Sequence, residues 1–528
     1  MATSRSHAQG GSYGGYAASL RGGRPAPTGR VPLFPARKRL FTASLLFAFL
    51  FSPTNWEGAA GCALLLLLFN TLILPWLDLD ATRPLPGPLL NKGGGILANQ
   101  GGGVILYPTS VLALIVLYRY HLHVAAAAWA IMALGDSMAT VFGEAARRSS
   151  LPENVQQGGP EPAWRREVAA TWRGRIAVAW RGEVAARWRC RISATLPWNR
   201  QKTWVGSLGF VFAGTAGAYL FTRWIAPAIP PHKTLMVCAA AALLGAVVEG
   251  LPLALDDNFT LPLVVGAFIF CAYFVERSAL ASNLPYLGRR MFLALAVNLA
   301  FALFAYAFKA ASPSGAICGF LLGTAIYLGY GYKSFLLLFA FVLLGSAATR
   351  LGLDKKAARG VAERRGGARS WREASANLTA AAFFAILVIT THHEAAFLLA
   401  MVAALAEAAG DTVSSEIGQW ISSRAYLITT FHLVPAGEDG GVTLAGTAAG
   451  FAASAFIVGL GVGLKLCGPY RFAGPAIAFA AAAMGNLFDS VLGATLERRG
   501  LVTNGMVNFA GTSLAGGLAL GLALRLGL

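Results

Sequence analysis

Long apolar runs, separated by short polar links, dominate the chain. They fall at roughly 39–53, 57–77, 98–117, 121–142, 205–224, 234–255, 258–274, 288–308, 312–330, 332–349, 374–391, 394–412, 445–465, 471–493 and 506–527. A helix needs about 20 mostly apolar residues to cross the hydrocarbon. In lipid a spanning segment must satisfy its own backbone polar groups, so runs of this kind predict helices. The first run is short and 98–117 opens on glycines, so the pattern predicts about 13 to 15 transmembrane helices. The fold class that follows is an all-α polytopic membrane protein. A polar stretch near 275–290, ERSALASNLPYLGRR, separates two apolar blocks. It divides the chain into two bundles, 39–282 and 283–528, preceded by a basic tail over 1–38.

Composition agrees with the pattern. Hydrophobic residues make up 56 % and charged residues 13 %, against about 25 % charged in a soluble domain. The net charge of +19 changes the picture only after its position is considered. The basic residues lie in loops between apolar runs, chiefly 145–204 and 350–373. The positive-inside rule accounts for that placement, so no nucleic-acid partner is expected. Counting spans from these loops turns every acidic motif toward one basic face. Two basic segments, Arg223 to Lys233 and Arg277 with Arg289 and Arg290, fall on the opposite face by the same count.

The first 56 residues contain no acid and carry Arg5, Arg21, Arg24, Arg30, Arg37, Lys38 and Arg39. That composition suits an organelle transit peptide or a basic cytosolic tail. The expected location is therefore a bacterial inner or thylakoid membrane, or a chloroplast membrane if the tail is a transit peptide. Six cysteines show no CxxC pairing and read as small apolar residues. Trp164, Trp172, Trp180 and Trp188 mark an eight-residue repeat inside 151–195. An apolar stripe at spacing four drifts around a helix, so this segment reads as a low-complexity insertion without chemistry.

The candidate chemistry lies in the few acids. Only 24 of 528 residues are Asp or Glu, and many gather in short motifs where apolar runs end. An unpaired carboxylate near the bilayer centre costs about 2.5–3.5 kcal/mol on insertion scales, so each is a functional candidate. In the N-terminal half the motifs are GDSMATVFGE (135–144), LPWNRQKTWVGS (196–207) and EGLPLALDDN (249–258). Asp136 and Asp257 are candidate catalytic acids, and Glu249 and Asp256 candidate metal ligands. Asn199 and Lys202, just before a glycine-bearing helix start, are candidate nucleotide- or phosphate-binding residues. Carboxylates beside a lysine are what Mg²⁺-assisted phosphoryl transfer needs. No GxxxxGK[ST] loop is present, which excludes a P-loop kinase.

This half resembles the CTP-dependent polyprenol kinases, phytol kinase most closely and dolichol kinase more distantly. The resemblance rests on GDSMATVFGE, LPWNRQKTWVGS and EGLPLALDDNFTLP, and covers roughly 39–275. It implies CTP as phosphoryl donor and a prenol as acceptor. The family joins its first two motifs by a short link, whereas about forty extra residues intervene here.

The C-terminal half carries GDTVSSEIG (410–418), RAYLITTFHLVPAGEDGGVTLAGT (424–447), GNLFDSVLGATLERR (485–499) and VNFAGTSLAGG (507–517). Asp411 and Asp489 are candidate catalytic acids and Glu416 a candidate metal ligand. Asp411 and Glu416 are five apart, so helical spacing alone does not put them on one face, and a turn near Ser414 could converge them. Arg424, Thr429, Thr430, Gly440, Gly441 and Asn508 are candidate nucleotide or phosphate contacts. Each polar residue taken alone is more simply a cap or an interhelical hydrogen bond. The set resembles, over about 288–526, a family of multi-span membrane proteins whose plant member looks like a phytyl-phosphate kinase. The family's acidic segment ahead of VNF is Thr503-Asn504-Gly505 here. Both halves share a Gly-Asp-Ser/Thr motif whose Gly, Asp and final Gly keep the same spacing.

Together the resemblances imply an enzyme that carries a prenol to its monophosphate and then its diphosphate, for tocopherol or prenylquinone salvage. Its partners would be a membrane prenol and a nucleoside triphosphate, with oligomeric state open. The alternatives are a membrane CTP-dependent cytidylyltransferase, or a secondary transporter built on inverted repeats.

Overall fold

A computed structural model of the protein describes residues 55–73, 102–149, 195–251, 257–362, 367–469 and 472–527. The basic tail, the first apolar run, nearly all of the Trp/Arg insertion and Asp256 lie outside these residues. Among the described residues, eleven helices are long and apolar enough to cross a membrane, and three more are apolar but shorter. The protein is an all-α multi-pass membrane protein, as the hydropathy pattern predicts.

The N-terminal bundle contains α1 (Trp56–Leu68), α2 (Gly102–Leu117), α3 (Leu122–Ala130) and α4 (Asp136–Ser149). A π-helical turn, Ile131–Gly135, joins α3 to α4 without a break. A short antiparallel hairpin follows, β1 (Thr195–Leu196) and β2 (Asn199–Thr203). It leads into α5 (Trp204–Ile225), α6 (Pro231–Gly250) and α7 (Asp257–Ala272). The core centres on α3, where every residue from Val124 to Ala133 is buried. Alanines there admit close helix contact, and Trp129 and Phe221 fill the space edge-to-face at 5.2 Å.

Most of the polar stretch near 275–290 is helical. It forms the first half of α8 (Arg277–Ala307), one 31-residue helix. At 1.5 Å per residue it is about 46 Å long, well beyond the ~30 Å hydrocarbon thickness. Arg290 lies 3.9 Å over the Tyr286 ring and donates to its hydroxyl at 2.5 Å. Local stacking of this kind lets a polar, arginine-bearing segment stay helical.

The C-terminal bundle continues with α9 (Pro313–Tyr330), α10 (Tyr332–Arg350), a short α11 (Leu353–Ala358), α12 (Trp371–Thr390) and α13 (Glu394–Ile421). Next comes a three-stranded sheet in the order β4-β3-β5. Its strands are β3 (Arg424–Leu427), β4 (Leu433–Pro435) and β5 (Gly441–Val442). The chain ends with α14 (Leu444–Gly463), α15 (Ala473–Leu492) and α16 (Asn504–Arg525). Helix α13 is the axis of this bundle, buried from Ala396 through Gly410. A helix apolar on all faces is expected at such a position. The bundles meet through Phe268 on Phe383 at 6.3 Å and Phe274 on Phe397 at 5.9 Å. The Glu276 amide also donates to the Thr390 carbonyl at 2.9 Å.

The two bundles repeat one local design. Thr203 caps α5 by accepting from the Gly206 amide at 3.1 Å, and Thr443 caps α14 by accepting from the Gly446 amide at 3.0 Å. A Cβ on Gly143 would meet the Thr203 hydroxyl, and one on Gly418 would meet the Thr443 hydroxyl. A Cβ on Gly206 would strike the Ala139 carbonyl, and one on Gly446 the Ser414 carbonyl. Farther along, Gly214 packs on Ile131, while Ser454 donates to the Ala406 carbonyl at 2.8 Å. Every pair keeps the same spacing from its Gly-Asp motif or its capping threonine. The motif helix and the capped helix therefore cross in the same way in both halves.

Candidate functional site

The C-terminal site is built around α13. The expected turn near Ser414 is absent, and α13 runs unbroken through Asp411 to Ile421. Asp411 and Glu416 consequently leave the helix in different directions. Glu416 is buried, and its Oε2 accepts from the Lys356 ammonium at 2.6 Å. Lys356 also donates to the carbonyls of Ala348 and Thr349, at 3.2 and 2.8 Å. Glu416 thus fastens α11 to the bundle instead of serving a cavity. A buried ion pair with extra hydrogen bonds is the arrangement that offsets desolvation.

Asp411 faces a polar cavity of about 280 Å³, far more than the roughly 10–15 Å³ that one water needs. Arg369, Asn486, Asp489, Glu497 and Asn508 line it too. Asn508 donates through Nδ2 to Asp411 Oδ2 at 3.5 Å and to Asn377 Oδ1 at 3.2 Å. Asp489 is 9 % exposed, and its Oδ2 has no hydrogen-bond partner among the described residues. A π-helical turn, Gly493–Glu497, follows it directly and brings Glu497 round to the cavity. Such turns recur at functional sites.

Over the cavity lies the turn between β4 and β5. Gly437 and Gly440 both take positive φ, at 90° and 74°. A Cβ at Gly440 would also collide with the backbone of Ala494. Glycine is required there, and Gly440 and Gly441 bring bare backbone to the cavity wall. Arg424, Thr429 and Thr430 are exposed and are not among the residues lining it. Arg424 is a strand residue paired with Pro435, and Thr429 and Thr430 sit in the β3–β4 turn.

Glu407, one helical turn before Asp411, was not legible as a site residue. It is 1 % exposed, and neither carboxylate oxygen has a hydrogen-bond partner among the described residues. Gly485 and Gly511 make room for it, since a Cβ on either would press on its side chain. Unpartnered buried oxygens are costly, and of these two acids it is Asp489 that lines the polar cavity. Arg369 was also missed, having served only as one positive charge among many in a basic loop. Its backbone is pinned to the link between α8 and α9: its amide donates to the Ala310 carbonyl and its carbonyl accepts from the Ser312 amide, both at 2.9 Å. The guanidinium also donates to Thr349 Oγ1 at 3.3 Å.

The N-terminal site is compact and charge-paired. Lys202, on β2, donates to Glu249 Oε1 at 2.6 Å and stands 3.8 Å from Asp257 Oδ2. Burial pulls the Lys202 pKa down, but the charges of Glu249, Asp257 and Asp136 outweigh it and hold the ammonium above its ordinary value. Asn199 and Trp198 donate to the Gly250 carbonyl at 3.3 and 3.1 Å, tying the hairpin to the end of α6. The fold thus gathers Asp136, Asn199, Lys202, Glu249 and Asp257 from four separate segments at one end of the bundle. Glu249 and Asp489 occupy equivalent places, each the same distance along the chain from its capping threonine.

Among the described residues, no three His, Cys, Asp or Glu side chains stand close enough to hold a metal ion by themselves. Mg²⁺ commonly takes only one or two carboxylates and fills its remaining positions with water and phosphate oxygens. The unpartnered Oδ2 of Asp489 beside Asp411 fits that donor set.

Fold and site define a multi-pass membrane protein with a carboxylate- and amide-lined cavity at one end of its C-terminal bundle. The family of Integral membrane protein DUF92 matches residues 296–518, and the chain belongs to that family. Protein VTE6, chloroplastic, of Arabidopsis thaliana is 37 % identical over 210 residues, 38 % of this chain and 62 % of that protein. Uncharacterized membrane protein sll0875 of Synechocystis is 34 % identical over 217 residues, 40 % of this chain and 83 % of that protein. Uncharacterized membrane protein MJ0933 of Methanocaldococcus jannaschii is 34 % identical over 227 residues, 43 % of this chain and 92 % of that protein. The chain thus spans less than two thirds of the plant relative. No solved structure matches.

Proposed function

We propose that the C-terminal bundle is an isoprenyl-phosphate kinase and that the N-terminal bundle is a prenol kinase. Both would draw on CTP, and together they would convert phytol or a similar prenol to its diphosphate. The observation that carries the reading is the cavity in which Asp411, Asp489 and Asn508 face Arg369 beneath a glycine turn. Kinship with the plant chloroplast relative supports the C-terminal assignment. The repeated helix crossing supports a related site in the N-terminal half.

In the C-terminal reaction a phosphate oxygen of the prenyl monophosphate attacks the terminal phosphorus of the nucleotide. The new O–P bond forms as the bond to the bridging oxygen breaks, and the nucleoside diphosphate leaves. The acceptor oxygen is already anionic, so positioning and charge balance make up most of the catalysis. Arg369 offers a forked donor to phosphate oxygens, and the amides of the Gly440–Gly441 turn approach from the opposite wall. Asp411 and Asp489 would hold a Mg²⁺ ion, which neutralises phosphate charge when bound. In the N-terminal reaction the nucleophile is a hydroxyl, so a base is needed, and Asp136 would accept its proton. Lys202 balances the transferred phosphoryl charge once nucleotide separates it from Glu249.

Membranes carrying the full chain, incubated with phytol, Mg²⁺ and CTP, test this. Phytyl mono- and diphosphate with release of CDP are expected. Pyrophosphate release would select a cytidylyltransferase, and absence of any phosphorylated lipid would reject the kinase.

A further inference from the structure

A second, apolar cavity opens between α8, α9, α10 and α12. Its walls are small, with Ala302 and Ala305 from α8, Gly315 and Gly319 from α9 and Gly345 from α10, and Phe301 and Phe341 also border it. It adjoins the polar cavity, because Arg369 and Thr412 line both. Asn377, in the wall of the apolar space, accepts from Asn508 in the polar one. A charged pocket and an apolar slot therefore share one threshold, with a guanidinium on it. The far wall of the charged pocket holds the unpartnered Asp489 oxygen.

We propose that this slot is the tail site of the C-terminal kinase. It holds the isoprenoid chain nearest the phosphate while the phosphate passes Arg369 into the polar cavity. This rests on the kinase reading only for the identity of the headgroup. Gly319 borders open space in the slot. A Cβ there meets nothing within 4 Å, so added bulk enters the slot and not the protein. Gly345 is tighter, since its Cβ would come 3.3 Å from Thr412 Cγ2 at the threshold. A branched isoprenoid needs width close to its head, and the alanine and glycine walls provide it. The same geometry fixes the direction of approach, with the tail between α8 and α12 and the nucleotide from the side of the glycine turn.

The test uses purified full-length chain and no nucleotide. The probe is a diterpenyl monophosphate with a photoreactive group within the first two isoprene units. Labelled peptides are expected from 301–319 and 341–346, and unlabelled monophosphate should compete about tenfold better than the free alcohol. Gly319→Leu should weaken diterpenyl monophosphate binding by about tenfold and weaken a single-isoprene monophosphate less. Ala302→Phe narrows the same slot from α8 and should act alike if Gly319→Leu fails to fold. Labels confined to the lipid-facing sides of other helices, equal competition by phospholipid, or two folded variants with unchanged chain-length preference would overturn the slot. Labelling in the slot without phosphoryl transfer by wild type would instead defeat the kinase reading and leave the slot standing.

Discussion

The two bundles use the same crossing of a motif helix and a threonine-capped helix, yet they treat charge differently. In the N-terminal site Glu249 is neutralised by Lys202, which arrives on β2 just before the capping threonine. In the C-terminal site the residue at the corresponding place before Thr443 is Val442, so Asp489 has no lysine. A second buried carboxylate, Glu407, stands where the N-terminal half has Met132. One site carries its counter-charge from its own hairpin. The other leaves carboxylate oxygens open and draws Arg369 from a distant loop. On the reading proposed above, the second site would need bound cations beyond Arg369 before an already phosphorylated acceptor could enter, whereas the first already holds a lysine among its acids.

Four perturbations test that contrast, beginning with the largest effect. Lys356→Met strands the buried Glu416 and should destabilise the C-terminal bundle by about 3–5 kcal/mol. Thermal unfolding in detergent reads this, with the combined Lys356→Met, Glu416→Leu variant regaining much of the loss. Asp411→Asn and Asp136→Asn should each lower one step by roughly 100- to 1000-fold, the range for losing one preorganised electrostatic group. Asp411→Asn is expected to accumulate monophosphate, and Asp136→Asn to process supplied monophosphate normally. If either variant stopped both steps, the two-site division would fail.

Lys202→Met leaves Glu249 buried without its donor, at about 1–3 kcal/mol, and should slow only the step that begins with the alcohol. Equal loss in both steps would mean the hairpin serves the C-terminal site too. Last, Thr203→Ala and Thr443→Ala each remove one helix cap and should cost about 1 kcal/mol apiece. A cost confined to one of them would break the equivalence of the two crossings.

Much of the fold was readable because lipid imposes a simple rule on the backbone. Runs such as 205–224 and 445–465 emerge as α5 and α14 almost as expected. Some polar stretches remain helical as well. ERSALASNLPYLGRR reads as a polar divide between two apolar blocks, and most of it forms the first half of α8, where Arg290 stacks on Tyr286. Helix α13 passes Asp411 without ending because its partner helices bury that face. The site was readable in part. Asp136, Lys202, Glu249 and Asp257 come together, as do Asp411, Asp489, Asn508 and the Gly440–Gly441 turn. Glu416 turned to Lys356, and Arg424, Thr429 and Thr430 stay outside. Glu407 and Arg369 gave no signal, because burial and long-range facing leave no mark on local composition.

The sequence by itself determined the class of molecule and the approximate helix count. Both follow from transfer free energy summed along the chain. Only the tertiary structure decided which carboxylates share a cavity, which are locked in ion pairs, and that an apolar slot meets the polar site at Arg369. Those depend on how each helix is rotated about its axis and on which distant segment packs against it. Close packing of small residues sets both, and neither is encoded at any single position.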